Sequence, residues 1–223
     1  MDLSPLDGLR LRTDRLELRW PSVDELVELA HIAEGGVHDP EEMPFVVPWT
    51  DGIGSPTFVD DFVAYHLGLR EGWRVDDWTL ELGVWAADEL IGVQGLMGRD
   101  FATKLEVKSG SWLAQRVHGR GYGTEMRAAI LELAFHGLGA VAATSAVLDG
   151  ADASARVSRK LGYVDAGESW MEVRGRRRLD RELRLTRDRW IDHERISVRI
   201  SGLEACIPLF GLKGPPDPWI PSC

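Results

Sequence analysis

The sequence predicts a mixed α+β domain built on a largely antiparallel sheet. Three observations carry that prediction: a strand followed at once by an amphipathic helix, three strand-like segments in direct succession, and a glycine-rich stretch that leads into a helix, a strand and a further helix. With 223 residues, 44% of them apolar, the chain can bury the core of one large domain. Its 26 Lys and Arg against 36 Asp and Glu give a formal charge of −10, which argues against nucleic acid as a partner and suits cationic or amine partners.

Taken in order, "LRTDRLELRW" (11–20) alternates as a strand does, with Leu11, Leu16 and Leu18 as its apolar members. Ser22, with Glu25 three positions on, forms a capping box for a helix over "SVDELVELAHIAEG". Residues 35–56, "GGVHDPEEMPFVVPWTDGIGSP", are rich in Gly and Pro yet hold Phe45, Val46, Val47 and Trp49, the mark of a packed functional loop. "TFVDDFVAYHLGLREGW" predicts a second helix, and 78–87, 89–98 and 104–114 predict three strands, with Asp88 and Asp100 as turn signals and an antiparallel meander as the natural arrangement. Beyond the glycines, Met126, Ala129, Ile130, Leu133 and Ala134 share one helical face while Arg127 and Glu132 fall elsewhere, and glycine at 137 or 139 can end that helix. "AVAATSAVL" (140–148) predicts a buried strand, "DASARVSRKLGY" a short helix and "RRLDRELRLT" a late strand.

The tail from Asp192 carries one more alternating segment and a Pro-rich end, which divides the chain into a main domain, 1–191, and a C-terminal extension, 192–223. Cys206 and Cys223 have no metal-ligand spacing and no His cluster beside them, so no metal is expected and a reducing, cytoplasmic setting fits. No basic start precedes an apolar run, and no segment approaches ~20 uncharged apolar residues, so neither export nor membrane insertion is expected. The nine tryptophans are expected in the core and in cleft walls. The run "RGRRRLDRELR" is expected to be a solvated strand edge.

The stretch "QRVHGRGYGTEM" (115–126) needs a chemical reason for Gly119, Gly121 and Gly123 beside Arg116 and Arg120. A phosphate-binding P-loop would end in Gly-Lys-Ser/Thr, whereas Gly123 is followed by Thr124 and Glu125. A dinucleotide fingerprint would place its third glycine at 124 and would follow an early parallel unit. A strand, a tight glycine turn and a helix whose free amides face a diphosphate remain. Arg116-Val117-His118-Gly119-Arg120-Gly121 matches Arg/Gln-x-x-Gly-x-Gly/Ala, and "SWLAQRVHGRGYGTEM" together with "ASARVSRKLGY" resembles the RimJ/RimL-like branch of the GNAT N-acyltransferases from Leu11 to about Thr186. "GVHDPEEMPFVVPWT" and "SGSWLAQRVHGRGYGTEMRAA" are similar to actinobacterial GNAT proteins considered to be succinyltransferases.

That resemblance implies a seven-stranded mixed sheet splayed between its fourth and fifth strands, with helices on both faces. It implies an acyl-CoA site in which the backbone of Trp112, Leu113 and Ala114 pairs with the pantetheine arm, while amides of Val117, His118, Gly119, Arg120, Gly121, Tyr122, Gly123 and Thr124 hold the pyrophosphate. Arg116 and Arg120 are expected either at the phosphates or as plain surface charges, and His118 is expected to be exposed. A bulge at Gly110 would splay backbone amides toward an oxyanion.

Acyl transfer to an amine also needs a base and a proton for the departing thiolate. Glu81 and Glu106 are the strand candidates for the base; each is equally readable as a solvent-facing glutamate, and a site with no base is a further alternative. Where the family places an asparagine and, seven residues on, a tyrosine, this chain has Ala151 and Ser158; Ser158 can pass a proton or be an ordinary helix serine, and Tyr163 is expected to pack. His38 and Asp39 can read a polar substrate or form a turn in which Asp39 caps local amides; Phe45 and Trp49 can line an acceptor groove or pack on the second helix. The expected activity is N-acyl transfer from acetyl-CoA or succinyl-CoA, without metal, to a small-molecule amine or a protein amino group, with homo-oligomerisation open. The rivals are a degenerate acyl-CoA-binding or regulatory module and a nicotinamide-dependent oxidoreductase.

Overall fold

The computed structural model describes residues 1–191 and 196–214. Cys223 lies outside the described residues. Nine strands form one sheet in the order β7-β8-β6-β5-β4-β3-β2-β1-β9. In chain order they are β1 (Arg10–Arg12), β2 (Leu16–Arg19), β3 (Asp77–Ala86), β4 (Glu89–Arg99), β5 (Glu106–Leu113), β6 (Ala142–Leu148), β7 (Val164–Val173), β8 (Arg176–Thr186) and β9 (Arg199–Ser201). The helices are α1 (Val23–Glu34), α2 (Phe58–Glu71), α3 (Phe101–Lys104), α4 (Tyr122–Glu132), α5 (Asp152–Lys160), α6 (Arg187–Ile191) and α7 (Leu203–Cys206).

Seven expected strands have become nine. The alternation over 11–20 belongs to two strands: Thr13 reverses the chain by donating its amide to the Leu16 carbonyl and accepting the Leu16 amide on its hydroxyl, both at 2.9 Å. β1 and β2 then pair antiparallel, Leu11 opposite Leu18. β7 lacks period-2 alternation because it is exposed along nearly its whole length, so no apolar face selects its residues. The capping box at α1 forms as written: Ser22 Oγ accepts from the Glu25 amide at 3.2 Å and Glu25 returns the bond at 2.7 Å.

The meander β3-β4-β5 is antiparallel throughout, whereas β5 and β6 run parallel and pair only from Glu106↔Ala142 to Lys108↔Thr144. Past those three positions the two strands part, and this is the splay expected between the fourth and fifth strands. Leu80, Leu82, Leu96, Val107 and Leu113 pack with α4 on one face, while Leu90, Val93 and Trp85 pack with α1 and α2 on the other. The described part of the C-terminal extension joins the first of these cores. β9 pairs with β1, Phe210 sits edge-on to the stacked pair Trp73 and Trp78, and the Trp73 indole donates to the Leu209 carbonyl at 2.9 Å.

Candidate active site

The glycine stretch forms a tight turn between β5 and α4. Gly119 and Gly121 both adopt left-handed backbone, φ +76° and +84°, a region where any Cβ is strained. Such residues at alternate positions turn successive N–H groups toward one concavity. The Val117 and His118 amides are spent on the Ala114 and Gln115 carbonyls, each at 3.1 Å, and Thr124 and Glu125 donate back to Gly121. That leaves the amides of Gly119, Arg120, Gly121, Tyr122 and Gly123 with no acceptor among the described residues. The expected row from 117 to 124 therefore narrows to five donors, at the positive end of the α4 dipole. Five free amides in a left-handed turn suit a diphosphate, so the residues present fit the phosphate end of a CoA ester.

Arginines surround this turn, and the best placed of them is one that no motif marked. Arg15, at the tip of the β1-β2 hairpin, donates through Nη1 to the Arg120 carbonyl at 3.0 Å and through Nε to buried Glu125 at 2.7 Å. Its guanidinium also lies over the Tyr122 ring, 4.8 Å from the centroid. Thr13 Oγ adds a 2.5 Å bond to the same carboxylate, so the hairpin is bolted to the first turn of α4. A cleft of about 360 Å³ opens here between Asp14, Arg15, Glu89, Arg120 and Tyr122. Arg116 is turned away to an exposed pair with Glu89 at 2.5 Å, while Arg120 reaches the Arg116 carbonyl at 3.3 Å.

The β5 backbone meets the gap in alternation. The Ala114 amide donates to the Ile91 carbonyl on β4 at 2.8 Å, so even-numbered residues of β5 face β4 and the odd-numbered Ser109, Ser111 and Leu113 face the splay. Of Trp112, Leu113 and Ala114, Leu113 alone thus presents main-chain groups to the gap, and His118 Nε2 already sits 3.0 Å from its carbonyl. No bulge interrupts β5 at Gly110, because the register runs unbroken from Gly92↔Leu113 to Gly98↔Val107.

Gly110 matters for a different reason. Glu81, Gly95 and Gly110 are cross-strand neighbours on β3, β4 and β5. A Cβ on Gly95 would come within 2.6 Å of Glu81 Oε1, so the Glu81 carboxylate lies flat over Gly95. Gly110 next to it carries no side chain and is met only by the end of Met97, 3.7 Å from where its Cβ would stand, so roughly two strand spacings, about 10 Å, separate the β3 backbone at Glu81 from the open edge of β5. Burial pushes the Glu81 carboxyl up to about 8, because the charged form loses its water and gains no donor. Tyr65 on α2 is close enough for the Glu81 charge to raise its hydroxyl further, after burial has done most of that.

Aromatic side chains wall this face. Trp49 lies between Phe45, Phe58, Phe62 and Trp112, with ring centroids 5.5–6.5 Å apart. The loop holding Phe45 and Trp49 is clamped by an ion pair from Asp51 to Arg174 at the β7-β8 turn, and Met43 packs with Leu148 and Val173. His38 is a structural member of that loop: Nδ1 bonds the Asp39 carbonyl and Nε2 bonds Thr50 Oγ, both at 2.7 Å. Exposed Asp39 accepts the Glu41 amide at 3.0 Å, which is the local cap.

The other two catalytic candidates are occupied. Glu106 takes two bonds from Arg184, at 2.6 and 3.1 Å, and that contact holds its carboxyl below the ordinary range. Ser158 is fully buried, donates to the Ser154 carbonyl at 3.1 Å and accepts from Arg127 Nη1 at 3.1 Å. Tyr163 is buried in the core with its hydroxyl 3.4 Å from Ser109 Oγ. Cys206 is buried, raised to about 11 by burial, and bonded to the Pro5 and Gly202 carbonyls.

A family model for the GNAT acetyltransferase domain matches residues 15–164. Among solved structures, Mycobacterium smegmatis RimJ in complex with CoA-disulfide is similar at a TM-score of 0.66 and 17% identity, covering 91% of this chain and 94% of that one. RimL, a ribosomal alpha-N-protein acetyltransferase in complex with coenzyme A, gives 0.61 and 14% identity over 78% and 95% of the two chains. A spermidine N-acetyltransferase SpeG chimera from Vibrio cholerae and hSSAT gives 0.62 and 15% identity over 81% and 100%. Likeness at these identities speaks to fold, while the family model spans most of the chain, glycine turn and splay included. The chain belongs to the GNAT acetyltransferase family.

Proposed function

We propose that the protein moves an acyl group from acetyl-CoA or succinyl-CoA to a primary amine by direct attack on the thioester. The observation that carries this reading is the row of five acceptor-free amides, Gly119 to Gly123, beside a strand edge left open by the splay. Acyl-CoA, when bound, supplies an electrophilic carbonyl and a thiolate leaving group. The amides and the rim arginines hold its diphosphate, and the odd-numbered backbone of β5 aligns the arm. The aromatic wall admits the amine from the opposite face of the sheet, a primary amine of a small molecule or of a protein. As the C–N bond forms and the C–S bond breaks, the proton that the amine loses passes through water to Glu81, and solvent reprotonates the thiolate. A buried, raised Cys206 offers no thiolate for a covalent intermediate.

One observation favours the rival reading of a CoA-binding module without turnover: the Ser158 hydroxyl is buried, donating to the Ser154 carbonyl and accepting from Arg127. A thiol-release assay with several acyl-CoA donors across a panel of amines separates the two. Release that depends on both donor and amine is expected; tight CoA binding with no release for any amine would establish the rival.

A further inference from the structure

Arg127 lies on α4 just past the free amides and projects to the face of the sheet opposite the aromatic wall. Its side chain is only 4% exposed. Nη1 donates to Ser158 Oγ at 3.1 Å and Ser145 Oγ at 3.4 Å, Nη2 donates to Ser111 Oγ at 3.1 Å, and Nε is buried with no partner. Among the described residues no carboxylate pairs with it; the titratable group whose charge acts on it is the Tyr163 phenol, which burial keeps neutral. Elsewhere the chain treats buried charge differently, since buried Glu125 is matched by Arg15.

A guanidinium stays charged in a protein, and an unpaired charge out of water is costly enough that an apolar side chain of equal volume would be the more stable choice. The position of the charge explains its retention. Its three hydroxyl partners come from β5, β6 and α5, and both strand serines lie past Lys108↔Thr144, the last pair before the splay. Arg127 therefore sits at the root of the gap into which the acyl end of the donor points, and half-buried Ser111 is its most open partner.

We infer that Arg127 is the receptor for a carboxylate at the far end of the acyl group, so that the donor is the CoA thioester of a short dicarboxylic acid, for which succinyl-CoA is the probe. This inference rests on the donor site proposed above. An amine acceptor bearing a carboxylate is the other source of such an anion, but the acceptor approaches from the aromatic face, on the far side of the sheet. Arg127 then acts as a specificity residue: it makes a charge-assisted pair with succinyl that acetyl cannot make.

Calorimetry on the full chain without amine tests this, with CoA, acetyl-CoA and succinyl-CoA as ligands. Succinyl-CoA is expected to bind about tenfold or more tightly than acetyl-CoA. Arg127→Met, close in volume and apolar, should abolish that preference and leave the affinity for CoA within about threefold, because the diphosphate is held elsewhere. Should Arg127→Met fail to fold, Arg127→Lys and Ser111→Ala should each shrink the ratio. Equal binding of the two thioesters to the wild type, or a ratio untouched by all three substitutions, overturns the inference and leaves the donor site standing. Failure of CoA itself to bind overturns both.

Discussion

The turn before α4 and the loop over residues 35–56 flank the same gap and are built on opposite principles. The turn offers main chain with nothing to bond: five amides wait for an acceptor, and their geometry is set by left-handed glycines and by Arg15 from a distant hairpin. The loop is closed on itself. Both His38 nitrogens are used, Asp39 caps its own backbone, and Phe45 and Trp49 interlock with α2. A backbone site recognises one constant chemical group, which suits a carrier common to many enzymes. A wall of side chains recognises shape, which suits an acceptor particular to this one.

Breaking the chemistry while sparing both regions should have the largest effect. Glu81→Gln is expected to lower kcat/KM by about 10²–10⁴-fold with CoA affinity unchanged. The wild-type rate should climb with pH and level off above about 8, where Glu81 loses its proton, and the variant should lack that inflection. The same group gives a stability signature. Its folded value is raised to about 8 from 4.5, so between those values the folded chain keeps a proton that the unfolded chain has released, and stability falls as pH rises through the window. Glu81→Gln should remove that fall and raise Tm at pH 8 to 9, by roughly 2–4 °C per kcal/mol recovered. A pH-rate profile identical in the two proteins would dismiss Glu81 as the base.

Trp49→Ala tests the acceptor side. Removing the ring at the centre of the aromatic wall should raise the amine KM by about tenfold or more and cost about 2–4 kcal/mol of stability by urea titration, with CoA binding preserved. Weakened CoA binding of the same size would mean that the two regions are not separable. The smallest effect should come from Arg174→Ala. That side chain and Asp51 are 36% and 42% exposed, so losing the clamp should barely move Tm and be visible mainly as a faster-exchanging loop.

The same contrast separates what was legible in the sequence from what was not. Capping and periodicity placed α1, whose Leu26, Leu29, Ala30 and Ala33 are buried, and the turn signals Asp88 and Asp100 placed the β3-β4-β5 meander, although β3 and β4 are buried on both faces. β7, bare on both faces, gave no such signal, and the β1-β2 reversal is made by one threonine inside a segment that alternates on both sides of it. The glycine turn could be read because the site proposed there is made of residues that lack side chains, and three glycines in alternation are visible in one dimension. Glu81 could be nominated but not preferred over Glu106, since what distinguishes them is Gly95 beneath one and Arg184 beside the other. Arg127 was set apart from the apolar face of α4, yet it is buried. Its hydroxyl partners lie 16, 18 and 31 residues away in sequence. Arg15 shows the same limit, reaching across 105 positions to the carbonyl it holds.

The central claim is that main-chain amides 119–123 grip the diphosphate of the acyl carrier. Amide hydrogen exchange over 115–126, followed with CoA and in parallel with pantetheine, which lacks the diphosphate, tests it most directly. CoA should slow exchange at those five amides and bind about 100-fold or more tightly than pantetheine, while pantetheine leaves their exchange unchanged. Equal affinity for the two ligands, or exchange at 119–123 that CoA does not slow, would contradict the account.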